Sequence, residues 1–258
     1  GVQTCALPIF SMICFNQKRQ VTGNVHFRRA VTYAIDRKKI AASKTFHAKD
    51  LYGIVPANYS YSPENDVDYR EDAGNIVGLD KKKAQNEWKQ AQKETGRNQV
   101  TLTLMFTENS RYSDISGKIK KDLETTLPGL QIKIKMVELN ETLERAFDHN
   151  YDMFYQSWQP SCVDPLAFIV NGGMEHLRED YHNPEYRNNL EKAAACGGDF
   201  SKRRGFIIAA EKDLVGKDAF VAPLFQQENG YLLNPNLRCV GFVPYGSACI
   251  LRDAWIKK

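Results

Sequence analysis

Val100-Thr101-Leu102-Thr103-Leu104-Met105-Phe106 is the stretch that decides the fold class. Apolar residues alternate with threonine through most of it, the period of a strand with one face buried. Residues 113–126 follow with Ile115, Ile119 and Leu123 four apart, one stripe of a helix. Pro128-Gly129 turns the chain, and Leu130 to Val137 alternates again. A helix is expected over 141–149, carrying Leu143 and Phe147, and Tyr151 to Trp158 reads as a third strand. Strand, helix, strand, helix, strand at this spacing predicts βαβ units around a parallel sheet, so the fold class is α/β.

The flanks fit that class. Phe10 to Phe15 reads as a short buried strand. Asn24 is placed to cap a helix whose stripe is Phe27, Ala30, Val31, Ala34 and Ile35, and Asp36 to cap a second short one. Residues 53–79, rich in Gly, Pro, Asn, Asp and Tyr, read as a long irregular connection. Asp80 caps a helix with Ala84, Trp88 and Ala91 on one face and Gly96 at its end. Helices are expected near 184–195 and over 200–215, and strands at Phe220 to Phe225 and Ala254 to Ile256. Turns are expected at Asn234-Pro235 and Pro244-Tyr245-Gly246.

The 258 residues are 42% hydrophobic and 26% charged, a globular composition with material for a sizeable core. No apolar run approaches the roughly 18 residues that suggest a membrane span. The net charge is only +4. The runs Lys81 to Lys83 and Lys118 to Lys121 sit among acids and read as solvated helix faces, so no nucleic-acid partner is implied. The six cysteines form no C-x-x-C pair and no disulfide framework.

Reactive constellations are missing from the sequence. It has no phosphate-cradling glycine loop, no H-E-x-x-H zinc helix and no G-x-S-x-G elbow. His176 and His182 lack further ligands at metal spacing, and Ser161 or Cys162 as a nucleophile lacks an identifiable base. A binding protein without cofactor or metal is expected rather than an enzyme.

An ordered set of short segments carries more. Phe15-Asn16, Val25 to Val31 (Val-His-Phe-Arg-Arg-Ala-Val) and Tyr33-Ala34-Ile35-Asp36-Arg37 come first. Val55-Pro56, Lys83-Ala84, Tyr151-Asp152-Met153 with Trp158, and Asp164-Pro165 follow. Tyr181, Asn183, Tyr186, Arg203-Arg204, Ala210-Glu211 and Pro223-Leu224-Phe225 complete the series. From residue 10 to the end, the chain resembles the family 5 extracellular solute-binding proteins, the peptide- and nickel-binding subunits of bacterial ABC importers. The resemblance implies a periplasmic-binding-protein-like (type II) fold of two α/β lobes joined by crossing strands. Residues 10–16 are then an interlobe strand and 17–226 the C-terminal ligand-binding lobe. Residues 227–258 become a return strand and tail belonging to the N-terminal lobe, most of which is absent here. That tail strand is expected to lack its sheet and leave an apolar face exposed.

The implied ligand is an oligopeptide and the implied partners are ABC permease subunits. The implied location is the periplasm or, as a lipoprotein, the cell surface, and the receptor is expected to act as a monomer. The resemblance places the ligand against Tyr155, Trp158, Gln159, Ser161, Cys162 and Asp164. Where the family carries a carboxylate and a tyrosine, this chain has Ser161 and Cys162. A charge-assisted hydrogen bond is worth about 1.5–3 kcal/mol against about 1 for a neutral one, so Ser161 puts anchoring of a free amine in doubt. Asp164 reads either as a substitute anchor or as the cap of the helix after it. Trp158 reads either as a wall of the cleft or as a core aromatic. Arg28, Arg29, Arg203 and Arg204 read as structural contacts. A different ligand (a modified peptide, a sugar oligomer or a metal chelate) and a peptide sensor without transport stay open as alternatives.

Gly1-Val2-Gln3-Thr4-Cys5-Ala6-Leu7-Pro8-Ile9 matches the in-frame translation of a sequencing adapter rather than a secretory signal. Sequencing the genomic DNA upstream is expected to give different codons for these nine positions, preceded by another lobe and a signal peptide or lipobox cysteine. A natural gene encoding residues 1–9 as they stand overturns the adapter reading.

Overall fold

The computed structural model describes residues 2–43, 48–160, 162–170, 181–242 and 249–257. Strand β1 (Val2–Phe15) leads into α1 (Val25–Ala34), α2 (Arg37–Ala41), β2 (Ala48–Asp50), α3 (Tyr69–Ala73) and α4 (Lys81–Thr95). Then come β3 (Val100–Thr107), α5 (Tyr112–Thr126), β4 (Leu130–Val137), α6 (Leu139–Phe147) and β5 (Met153–Trp158). Helices α7 (Pro165–Val170), α8 (Pro184–Ala195) and α9 (Phe200–Glu211) precede β6 (Val221–Leu232). Four two-residue strands close the chain: β7 (Leu237–Arg238), β8 (Gly241–Phe242), β9 (Cys249–Ile250) and β10 (Trp255–Ile256).

The main sheet runs β2-β6-β1-β5-β3-β4. Strand β3 is parallel to β4 and β5, as the two crossover helices require. The expectation of a parallel sheet is corrected for the other half, where β1 is antiparallel to both β5 and β6, and β2 to β6. Alternation reveals a strand but not its direction. No helical crossover ties β1 or β6 to its neighbours, so either direction was open to them.

Local chemistry sets the helix ends. Side chains of Asn24, Asp36 and Asp80 accept from the backbone N–H of Phe27, Lys39 and Lys83. Gly96 closes α4 at φ 68°, a conformation that favours glycine. Ile115, Ile119 and Leu123 of α5 and Ala84, Trp88 and Ala91 of α4 are buried with Phe27 against one face of the sheet. Phe10, Met12 and Cys14 of β1 point to the other face and meet Phe168, Ile207 and Leu214. Lys118–Asp114 and Lys120–Glu124 pair along exposed α5, the solvated faces expected of these lysines.

Several bounds differ from the sequence reading. The helix expected over 200–215 ends at Glu211 and continues as a π-helical turn, Lys212–Lys217. The connection 53–79 contains α3. Strand β6 runs past Phe225 to Leu232, where it pairs with β1 as far back as Val2, with register shifts between Cys5 and Ile9 and between Ser11 and Met12. Helix α6 buries Thr142 and Ala146 and leaves Leu143 and Phe147 exposed. Trp255–Ile256 pairs with β7 in a separate ribbon, with both side chains exposed. The turn at 244–246 lies outside the described residues. No described helix is long and apolar enough to cross a membrane.

The arginines act as ties. Arg28 donates to the carbonyls of Gly23, Asp218 and Ala219, and Arg29 to that of Lys217. Arg37 is buried and donates to the carbonyls of Pro223, Thr32 and Ile35, which fastens the start of α2 to β6. Burial lowers its guanidinium to about 10.

Among the described residues Glu211 is the most heavily engaged carboxylate. It is wholly buried and accepts from Ile54 N (2.7 Å), Val55 N (3.1 Å), the Tyr69 hydroxyl (3.1 Å) and Arg70 Nη2 (2.6 Å). One side chain on α9 thereby fixes the 52–56 loop and α3. Glu211→Ala strands the Arg70 cation and two backbone donors, and is expected to cost about 3–5 kcal/mol in urea denaturation. Glu211→Gln keeps one acceptor oxygen and is expected to cost less. A loss below about 1 kcal/mol for the alanine variant sinks this account.

Candidate functional site

Strand β5 carries the residues singled out from sequence, and alternation sorts them onto two faces. Trp158 packs on the face shared with Phe10 and Phe168, whereas Tyr155 is buried on the opposite face with Phe106 and Phe225. Tyr155 and Trp158 therefore do not share one surface.

Trp158 is half-buried. Its ring meets Phe10 and Phe168 edge-on at centroid distances of 6.1 and 5.4 Å. Phe168 is also met edge-on by Tyr59 at 4.8 Å, and the Tyr59 hydroxyl donates to the carbonyl of Cys162. This aromatic group ties the loop after β5 to the 48–60 connection. Gln159 and the free thiol of Cys162 are exposed. Ser161 lies outside the described residues. Asp164 accepts from Leu166 N at 2.9 Å, capping α7, and also takes a two-pronged contact from Arg203 at 2.8 and 3.3 Å. A ligand cation at Asp164 has to compete with that guanidinium.

Tyr155 lies in a hydroxyl cluster. Its OH donates to Ser11 Oγ (2.8 Å) and Ser157 Oγ stands 2.9 Å from it, while Ser11 and Ser157 are 3.1 Å apart. Gln227 of β6 reaches Ser11 at 3.5 Å. Three strands, β1, β5 and β6, are joined here by side chains as well as by backbone. The Tyr155 ring stacks on Phe106 at 5.0 Å, and burial raises its phenol pKa.

A hollow of ≈ 290 Å³ opens at the carboxyl end of β3, beside the middle of β5 and α6. Thr107 and Glu108 supply one rim, Leu139 and Leu143 the α6 wall, and Phe154 and Ser157 the β5 side. Open α/β sheets place ligands beyond the carboxyl ends of their parallel strands. The sequence reading missed Thr107, Glu108 and the α6 residues, although the end of the alternating run at Phe106 marks where such a site begins. Among the described residues no group of three or more His, Cys, Asp or Glu is arranged to hold a metal ion. His182 contacts Arg187, and His176 lies outside the described residues.

Comparison with known proteins agrees with this architecture. The family profile described as "Bacterial extracellular solute-binding proteins, family 5 Middle" matches residues 3–173. The chain is 23% identical over 245 residues to the dipeptide-binding protein of Lactococcus lactis subsp. cremoris (strain MG1363), covering 93% of this chain and 44% of that protein. It is 22% identical over 253 residues to the oligopeptide-binding protein OppA of Bacillus subtilis (strain 168), covering 94% and 44%. The structure of Listeria monocytogenes OppA bound to peptide superposes with a TM-score of 0.84 at 26% identity, covering 100% of this chain and 50% of that one. The chain thus spans about half the length of these three relatives, and the two curated ones are binding proteins by name. On the profile match and the shared fold, the chain belongs to the bacterial extracellular solute-binding proteins of family 5.

Proposed function

We propose that this chain is the ligand-binding lobe of a receptor that captures oligopeptides outside the cytoplasm and passes them to the permease of an ABC importer. The observation that carries the reading is the open hollow at the end of β3, beside β5 and α6, in a lobe that superposes on a peptide-bound relative. Nearby, Trp158 offers a half-buried ring held edge-on by two phenylalanines, a wall whose orientation is set before any ligand arrives. The proposal assigns residues 10–16 to an interlobe strand and 17–226 to the C-terminal lobe. It assigns 227–258 to a return segment of the other lobe and 1–9 to a translated adapter. The receptor acts as a monomer in the periplasm or, lipid-anchored, on the cell surface, and carries out no chemistry on its ligand.

The test is a thermal-shift screen of protein expressed from the complete reading frame. A ligand that binds only the folded state stabilises it by about 2.7 kcal/mol at a hundred times its Kd. Tri- to pentapeptides are expected to raise Tm. A screen in which peptides give no shift while glycans or metal chelates do overturns the peptide reading.

A further inference from the structure

We propose that the hollow beside α6 is a specificity pocket for a ligand side chain with a cation on an apolar stem, as lysine and arginine have. This rests on the reading of the chain as a peptide receptor and names what one of its pockets selects.

The walls come from an unusual setting of α6. Its buried residues are Thr142 and Ala146, while Leu139 and Leu143 stand 59% and 48% exposed. Both leucines line the hollow, with Phe154 on the sheet side. Leucines left in water lose the stabilisation that burial gives, and an aliphatic stem laid along them restores it. Among the twelve described residues that line the hollow, Glu108 alone carries a formal charge. Among the described residues no arginine or lysine lines the hollow to compete for that carboxylate, and Glu108 takes part in no ion pair. Asp164 is different, because Arg203 already occupies it. A volume of ≈ 290 Å³ falls at the low end of the roughly 300–1,000 Å³ typical of ligand pockets, room for one long side chain and not for a whole peptide. Apolar walls with one anion at the mouth match a side chain that buries its methylenes and keeps its charged head near water.

The terminal ammonium of a peptide offers the same cation, so the experiment separates the two. Isothermal titration uses protein from the complete reading frame and alanine pentapeptides carrying lysine, norleucine or glutamate at each position in turn, with free and with acetylated amino termini. At one position lysine is expected to bind about tenfold more tightly than norleucine, the size of one charge-assisted contact. Glutamate is expected to be weakest there, and acetylation is expected to leave the lysine preference intact. Glu108→Gln is expected to bring the lysine-to-norleucine ratio close to one while leaving norleucine affinity unchanged. Leu143→Ser is expected to weaken both peptides together. A lysine preference that survives Glu108→Gln, or no lysine preference at any position, overturns the proposal. A Glu108-dependent loss on acetylation without a lysine preference assigns the hollow to the terminal ammonium and overturns the side-chain assignment. If none of the pentapeptides binds, the peptide reading itself falls, a result distinct from peptides that bind without discrimination.

Discussion

The structure depends on the double pairing of β1. This strand lies in the middle of the sheet and is hydrogen-bonded along both edges, to β5 on one side and β6 on the other. Its side chains alternate between two cores. Phe10, Met12 and Cys14 face the layer of α7 and α9, and Ile13 and Phe15 face that of α1, α4 and α5. A slip of one residue in its register sends each set to the wrong layer, so both cores specify the same pairing. The local unit β3–α5–β4–α6–β5 can be assembled from neighbouring segments. What it cannot supply is a partner for the other edge of β5. Strand β1 fills that edge, and the hydroxyl cluster of Ser11, Tyr155 and Ser157 marks the seam with bonds between side chains.

How much of this was legible in the sequence follows from how local each determinant is. The caps Asn24, Asp36 and Asp80 are visible because a capping side chain bonds only two or three residues away. The stripe of α5 is visible because its period is fixed by the helix itself. The direction of β1 and β6 was not, since it depends on partners far away in the chain. The π-helical turn after Glu211 was hidden for another reason. Leu214 continues the apolar spacing of α9, and the stripe does not show whether the backbone beneath it has widened. Glu211 stood in the sequence only as part of the resemblance, and its burial shows only once the 52–56 loop and Arg70 are folded over it.

The candidate site was less legible than the fold for the same reason. Trp158 and Asp164 stood out because the resemblance rests on them, but their surroundings come from elsewhere. Phe10 belongs to β1, Tyr59 to the long connection and Arg203 to α9. The hollow is built from the end of β3, the exposed side of α6 and the middle of β5, and no single window contains it. Even the amphipathic pattern of α6 misleads if it is read alone. Leu143 and Phe147 suggest an inward face, yet the helix is turned so that Thr142 and Ala146 meet the core. The reason lies in the sheet below. Ala146 is buried in the same cluster as Phe154, Met105 and Val137, and its small side chain lets the helix lie close to the sheet.

The electrostatics of the site depend on water more than on distance. At 4 Å two unit charges attract by about 1 kcal/mol in bulk water and by about 4 kcal/mol at the effective dielectric near a protein surface. Asp164 and Arg203 are each partly exposed, and such a pair contributes at most about 1 kcal/mol. Its importance is that it occupies the carboxylate, not that it stabilises the fold. Glu108 is exposed as well, in a chain that spans about half the length of the Lactococcus and Listeria relatives. Alone in water its charge discriminates weakly, because a cation gives up nearly as much hydration as it gains. Only a second surface closing over the hollow lowers the local dielectric enough for one carboxylate to select a partner. Apolar contact with Leu139 and Leu143 needs no such closure. On the proposed reading, a ligand side chain meets the walls first, and the charge comes to matter as water leaves.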